Sequence, residues 1–154
     1  MIEIIPFSVE HSAAFRDLNL EWVSTLFRVE PHDEEQLSHP ERILEDGGEI
    51  WLAQRDGEIV GTGVLFCEGE DSYEIAKMAV RPDMRGQGIG RQILTNLIRR
   101  FREREGERLW LQTNSRLKNA IALYRQAGFV DFTPSEPSPY ERADVFLEWR
   151  GNSG

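Results

Sequence analysis

Val80-Arg81-Pro82-Asp83-Met84-Arg85-Gly86-Gln87-Gly88-Ile89-Gly90-Arg91 joins a short apolar run to a long helical repeat, and its reading decides the fold. Upstream, Tyr73 to Val80 reads as a strand ended by Arg81-Pro82-Asp83. Downstream, from Gly88 to Glu105, Ile89, Ile93, Leu94, Leu97, Ile98 and Phe101 form one stripe at helical spacing, with arginines opposite. Glycines let a backbone approach a ligand closely, and the first N–H groups of a helix are unpaired donors at the positive end of its dipole. Such a turn suits a phosphate or pyrophosphate. The dinucleotide fingerprint G-x-G-x-x-G is not met: the third glycine comes one residue early and Arg91 stands in its place. The acidic residue that should follow falls within Arg102 to Glu107, at a helix end. A nucleoside-triphosphate loop needs G-K-[ST], and Gly90-Arg91-Gln92 lacks it. Arg-x-x-Gly-x-Gly is satisfied by Arg85, Gly88 and Gly90, although by itself that hexapeptide also reads as a structural turn.

Working outward, Ile2 to Phe7 suits a first strand, and residues 9–28 place Phe15, Leu18, Trp22 and Leu26 on one helical face. Asp33 is placed to cap a second helix, with Glu34 and Glu35 in its first turn, running toward Gly47-Gly48 and disturbed at Pro40. Two apolar runs, 49–54 and 59–66, flank Asp56-Gly57 as a hairpin. Leu109 to Thr113 is a strand, and residues 115–127 a helix stopped by Gly128. Phe129 to Phe132 and Ala143 to Trp149 are two closing strands, after a loop whose Pro134, Pro137 and Pro139 exclude helix and central strand. The order β-α-α-β-β-β-α-β-α-β-β describes an α/β protein with a mixed sheet.

At 154 residues, with 40% hydrophobic and 29% charged side chains, the chain is expected to form one domain, 1–154. Nothing approaches the ~20 apolar residues of a membrane span, and Met1-Ile2-Glu3 does not read as a secretory leader; a cytoplasmic protein is expected. The single cysteine, Cys67, excludes an internal disulfide and a multi-thiolate zinc site, and His11, His32 and His39 show no metal spacing. A net charge of −9 argues against nucleic acid and anionic membrane as partners. The charge is polarised: residues 1–75 carry −14 and residues 76–154 carry +5. That split suits an anionic ligand on the C-terminal half and a cation on the N-terminal half, or two solvated surfaces.

Met78-Ala79-Val80-Arg81-Pro82 followed by Arg85-Gly86-Gln87-Gly88-Ile89-Gly90 resembles the acetyl-CoA-binding motif of the GNAT N-acetyltransferase superfamily. The resemblance continues through Leu111-Gln112-Thr113-Asn114 and then Asn119-Ala120-Ile121-Ala122-Leu123-Tyr124-Arg125-Gln126-Ala127-Gly128-Phe129, and covers residues 73–132. It implies a GNAT-type fold, a central mixed and mostly antiparallel sheet flanked by about four helices. It also implies direct transfer of acetyl from acetyl-CoA to a primary amine of a small molecule or peptide. No metal and no covalent enzyme intermediate are required. Members of the family are often dimers, which makes a homodimer the expected assembly. The rival class is a non-catalytic acyl-CoA-binding sensor or regulatory module.

The same resemblance assigns roles. Tyr124 would be the acid that protonates the leaving thiolate; by periodicity alone it is a core aromatic beside Ala120, Leu123 and Ala127. Glu74 stands where some members carry a catalytic glutamate, whereas others use ordered water. Strict strand alternation puts Glu74, Ala76, Met78 and Val80 on one face, unless a bulge near Met78 changes the phase. Met78, Ala79 and Val80 would hold the pantetheine arm through backbone groups, and one of their N–H groups would meet the developing oxyanion. Arg85, Gly86, Gln87, Gly88, Ile89, Gly90 and Arg91 would receive the phosphates. Asn114, Asn119, Ala120 and Leu123 would line the rest of the cofactor, with Asn114 open to an alternative reading as a helix cap. On the acceptor side, Phe27, Glu30, Tyr140 and Arg142 are the candidates. Carboxylates near residue 30 would draw an ammonium or merely stabilise a helix start, and Arg142 would grip a carboxylate or lie on the surface.

Overall fold

The computed structural model describes residues 1–151. Seven strands form one sheet: β1 (Glu3–Pro6), β2 (Glu49–Arg55), β3 (Glu58–Cys67), β4 (Ser72–Val80), β5 (Arg108–Thr113), β6 (Phe129–Asp131) and β7 (Val145–Trp149). Their spatial order is β1-β2-β3-β4-β5-β7-β6, antiparallel except at β4 and β5. Five α-helices accompany it: α1 (Ser12–Leu26), α2 (Pro31–Ser38), α3 (Pro40–Glu45), α4 (Ile89–Glu103) and α5 (Lys118–Gln126). The expected fold class holds, with five helices where about four were anticipated. Asp56 and Gly57, both left-handed at φ 50° and 82°, turn β2 into β3 as the hairpin motif predicts. Among the described residues, no helix is long and apolar enough to cross a membrane.

Leu65 and Val64 are adjacent on β3 and join separate cores, because successive strand residues face opposite sides of a sheet. On one side, Ile89, Ile93, Leu94, Leu97 and Phe101 of α4 close over Leu65, Tyr73, Ile75, Leu109 and Leu111. On the other, Phe15, Leu37 and Ile43 from α1, α2 and α3 cover Ile50, Leu52 and Val64.

Three local expectations are corrected. The second helix is two helices, since Pro40 removes a backbone donor and holds His39 out of helical geometry (φ −131°, ψ 61°). The N-cap of α2 is Glu30 rather than Asp33; Pro31 takes the first turn, and Asp33 Oδ2 accepts the Glu30 N–H at 2.9 Å. The buried face of α1 is Phe15, Asn19 and Val23, one residue on from the apolar stripe. Asn19 tolerates burial because its Nδ2 donates to Phe15 O (2.9 Å) and Thr62 Oγ1 (3.1 Å). Trp22 and Leu26 are thereby turned toward a cleft.

Two features of β4 create that cleft. Its parallel pairing with β5 covers only Ser72, Tyr73 and Glu74 against Arg108, Leu109 and Trp110, after which the strands part. Beyond Glu74 the β5-facing edge of β4 has no ladder partner. The second feature is a bulge: Thr62 pairs with Ala79 and Val64 with Ala76, so Lys77 and Met78 together oppose Gly63. Lys77 sits at φ 54°, and its carbonyl accepts the Thr62 hydroxyl at 2.8 Å. The bulge shifts the side-chain phase. Tyr73 and Ile75, then Met78 and Val80, all pack against the α4 core, so the bulge near Met78 makes the change of phase that was allowed for, and Glu74, Ala76, Met78 and Val80 do not share one face.

Candidate active site

The cleft between the parted strands encloses about 700 Å³. One wall is β4 from Glu74 to Val80, continuing through Met84, Arg85, Gly86 and Gly88 to Ile89 and Gly90 at the start of α4. The facing wall is β5 from Leu111, then Asn114, Asn119, Ala120, Leu123 and Tyr124. Trp22, Val23, Leu26 and Phe27 of α1 and its C-cap close one end, with Tyr140 and Arg142.

At the glycine turn, Gly86 and Gly88 take φ 79° and 81°, and nothing lies within 4 Å of where a Cβ would stand on either. Gly88 is the N-cap of α4 and supplies no side chain, so the first N–H groups of the helix remain donors toward the cleft. Arg85 stays at this end, its Nε donating to Val80 O at 3.1 Å. Two expected phosphate contacts stand elsewhere. Gln87 is not on the cleft wall, and Arg91 faces a groove beyond α5, where its Nη2 donates to Gln126 Oε1 at 3.0 Å.

Glu74 and Tyr124 stand on opposite walls. Burial pushes the Glu74 carboxyl up to about 7, with Glu68 adding repulsion and a hydrogen bond from Gln112 opposing. Gln112 Nε2 donates to Glu74 Oε2 at 2.8 Å, and the Ser138 hydroxyl donates to Gln112 Oε1, which fixes the amide with its donor toward the carboxyl. Ser138 is held in turn by the Tyr140 N–H at 3.0 Å. Tyr124 packs edge-on to Phe129, and its hydroxyl has no hydrogen-bond partner among the described residues. Burial raises this phenol to about 12, so it remains protonated at neutral pH.

The acceptor-side candidates form a buried ionic cluster. Arg142 grips Asp33 through two bonds of 2.7 and 2.9 Å and reaches Glu30 at 3.0 Å. Lys77 Nζ donates to Asp33 Oδ1 (3.1 Å) and to the Tyr140 hydroxyl (3.2 Å), which donates to Gln36 Oε1 (2.8 Å). Asp33 is wholly buried. Burial pushes it up, but Arg142, Lys77 and the Glu30 N–H outweigh that and hold it at about 2. Burial draws Lys77 down against the pull of Asp33, and raises Tyr140. Arg142 is therefore already engaged by carboxylates, and Glu30 lies behind the wall rather than on it. Asn114 is likewise occupied: Nδ2 donates to Arg142 O (2.7 Å) and Oδ1 accepts the Arg116 N–H (2.9 Å), a turn inside the loop rather than a cap on α5.

Sequence reasoning passed over Lys77, Asp33 as a buried ion, Gln112, Ser138 and Arg116. The one available signal was a lysine inside an apolar strand, Ile75-Ala76-Lys77-Met78-Ala79-Val80. Gln112 and Ser138 are 26 residues apart and meet only in the folded chain.

Residues 14–129 match the Acetyltransferase (GNAT) family. The chain belongs to that family. A GNAT structure from Staphylococcus aureus Mu50 superposes with a TM-score of 0.87 at 23% identity, covering 97% of this chain and 98% of that one. The Salmonella typhimurium acetyltransferase yncA, solved with its cofactor acetyl-CoA, superposes with a TM-score of 0.76 at 18% identity, covering 96% and 92%. Among curated relatives, the IAA acetyltransferase of Azospirillum brasilense is 35% identical over 98 residues. That stretch is 63% of this chain and 64% of the relative, so the chain spans less than two thirds of that relative's length.

Proposed function

We propose that this GNAT protein transfers the acetyl group of acetyl-CoA to a primary amine of a small molecule or peptide by direct attack. The observation that carries the reading is the parting of β4 from β5. It leaves one unpaired strand edge that runs from the open N–H groups of α4 to Glu74. An extended arm bearing amides pairs with such an edge, and a diphosphate at its end meets the helix terminus. The fit extends to Asn119, Ala120 and Leu123 on the facing wall. The yncA neighbour, bound to acetyl-CoA, supports the same cofactor here. When bound, acetyl-CoA supplies an activated acyl carbon and a good leaving group.

The chain's own groups then move protons. An alkylammonium of pKa near ~10 must lose a proton before it attacks, and a carboxylate whose pKa lies near neutrality accepts one at physiological pH. Glu74 takes that role, with Gln112 keeping one carboxylate oxygen occupied and the other open. The Tyr124 hydroxyl, unpaired and protonated, gives its proton to the departing sulfur. Lys77, at the bulge of β4, is charge-paired with Asp33.

The test is release of CoA thiol from acetyl-CoA in the presence of a panel of amines, with cofactor binding measured in parallel. Release that depends on an amine supports the reading. Tight acetyl-CoA binding without turnover of any amine overturns catalysis in favour of a sensor, and absence of binding overturns both.

A further inference from the structure

We infer that the acceptor is a monoamine carrying a carboxylate, and that Arg116 takes this carboxylate at the rim of the cleft. The inference rests on the acetyl-transfer reading and deepens it by naming the substrate class.

It starts from the ionisable groups on the cleft wall. Five are cations, Lys77, Arg85, Arg116, Lys118 and Arg142, and one is a carboxyl, Glu74. A chain of net charge −9 thus lines its cleft with positive charge. Of the acids of residues 1–75, which the charge split suggested would attract an ammonium, Glu74 alone is on the cleft wall among the described residues, and Glu21 lies 3.7 Å from Arg85. Asp33 and Glu30 are turned into Arg142 and Lys77, behind the wall. A polyamine or aminoglycoside would bring further ammonium groups into a space whose only wall carboxyl, among the described residues, is the proposed base. Each would lose hydration without gaining a counter-charge.

The cations are not equivalent. Lys77 and Arg142 are neutralised by their carboxylates. Arg85 belongs to the glycine turn, and Lys118 opens α5 on the cofactor wall. Arg116 differs in both respects. It reaches across to the α1 end, where its Nη2 donates to Leu26 O at 2.7 Å and its guanidinium lies 4.5 Å from the centre of the Phe27 ring. Among the described residues it has no carboxylate partner, and that one side-chain bond leaves most of its donors open. The Phe27 ring and the Leu26 carbonyl hold the guanidinium plane, which is pre-organised for a planar, bidentate carboxylate. Trp22, 5.8 Å from Phe27, offers an apolar surface beside it.

The experiment compares leucine with leucinamide, which differ in the carboxylate, and with spermidine, by thiol release in the wild-type protein and in Arg116→Gln. The expected result is kcat/KM for leucine at least about tenfold above leucinamide and above spermidine, the scale of one charge-assisted pair. Arg116→Gln should bring the leucine-to-leucinamide ratio close to one through KM for the amine, with KM for acetyl-CoA unmoved. Preferred turnover of spermidine, or a preference for leucine that survives Arg116→Gln, overturns the inference while leaving acetyl transfer standing. If no amine releases thiol, the acetyl-transfer reading fails instead. Calorimetry of leucine binding to the acetyl-CoA-loaded protein then decides: equal binding by wild type and Arg116→Gln overturns the Arg116 assignment, and a tenfold loss supports it.

Discussion

Gln112 Nε2 donates to Glu74 Oε2 at 2.8 Å from a strand that has ceased to pair with the strand of Glu74. The last ladder pair between β4 and β5 is Glu74 with Trp110, and Gln112 lies one pleat further on the same face. The side-chain bond spans the first gap of the opening cleft. It favours the carboxylate form and partly offsets the burial that leaves this group at about 7.

Replacing Gln112 with Leu removes that donor while keeping bulk. Loss of a hydrogen bond to a charged group is worth about 1.5–3 kcal/mol, or roughly one to two pH units. The Glu74 carboxyl should titrate higher by at least about one unit, read directly by carbon-detected NMR of the side chain. An unchanged titration would show that Gln112 does not tune Glu74.

Glu74 acts as base only when deprotonated, so kcat/KM should fall as pH drops below about 7, with unit slope. Glu74→Gln should remove this limb and lower kcat by about 10²-fold or more. A profile identical in both proteins would assign the proton to water instead.

Tyr124→Phe retains the ring that packs on Phe129 and removes only the hydroxyl. Turnover should fall by about 10²-fold, with acetyl-CoA affinity retained. Equal loss of binding would mark Tyr124 as a packing residue.

Asp33 joins Lys77 and Arg142 in the interior, and removing one member of a buried ionic group leaves uncompensated charge. Asp33→Asn should cost about 3–5 kcal/mol in urea denaturation. A loss below about 1 kcal/mol would mean that water or Glu30 replaces the missing charge.

Stability should depend on pH with two opposite signs. Asp33 and Glu49 are both held at about 2, the latter against burial by Arg100, Trp51 and Arg104. Lowered carboxyls stabilise the fold above their unfolded values of 3.8 and 4.5, and that contribution is lost as pH falls toward 2. Glu74 is raised, so the folded state holds its proton between 4.5 and about 7 and stability declines as pH rises through that window. Thermal melts should therefore be most favourable near the lower edge of that window, and Glu74→Gln should flatten the decline above it.

The glycine turn, the α4 stripe and the Asp56-Gly57 hairpin were legible because each is local: a left-handed position, a helix period and a hairpin turn act over a few residues. The α1 face was misjudged by one position because hydrophobicity ranked Leu18 and Trp22 above Asn19. Asn19 is paired by Thr62, 43 residues away, and such a partner cannot be read from a window. Arg142 was recognised as an acceptor-side residue, yet its counter-ions, Glu30 and Asp33, lie more than a hundred residues upstream.

By itself the sequence determined the α/β class, the order of the strands and the glycine turn that opens α4, since side-chain period and turn chemistry follow from local residue types. Tertiary structure alone decided which charges face the cleft. The bulge at Lys77 selects the phase of β4, and buried pairing turns Asp33 and Glu30 away from the cleft while Glu74 stays on its wall. Composition counts charges, but burial and pairing determine which of them a substrate meets.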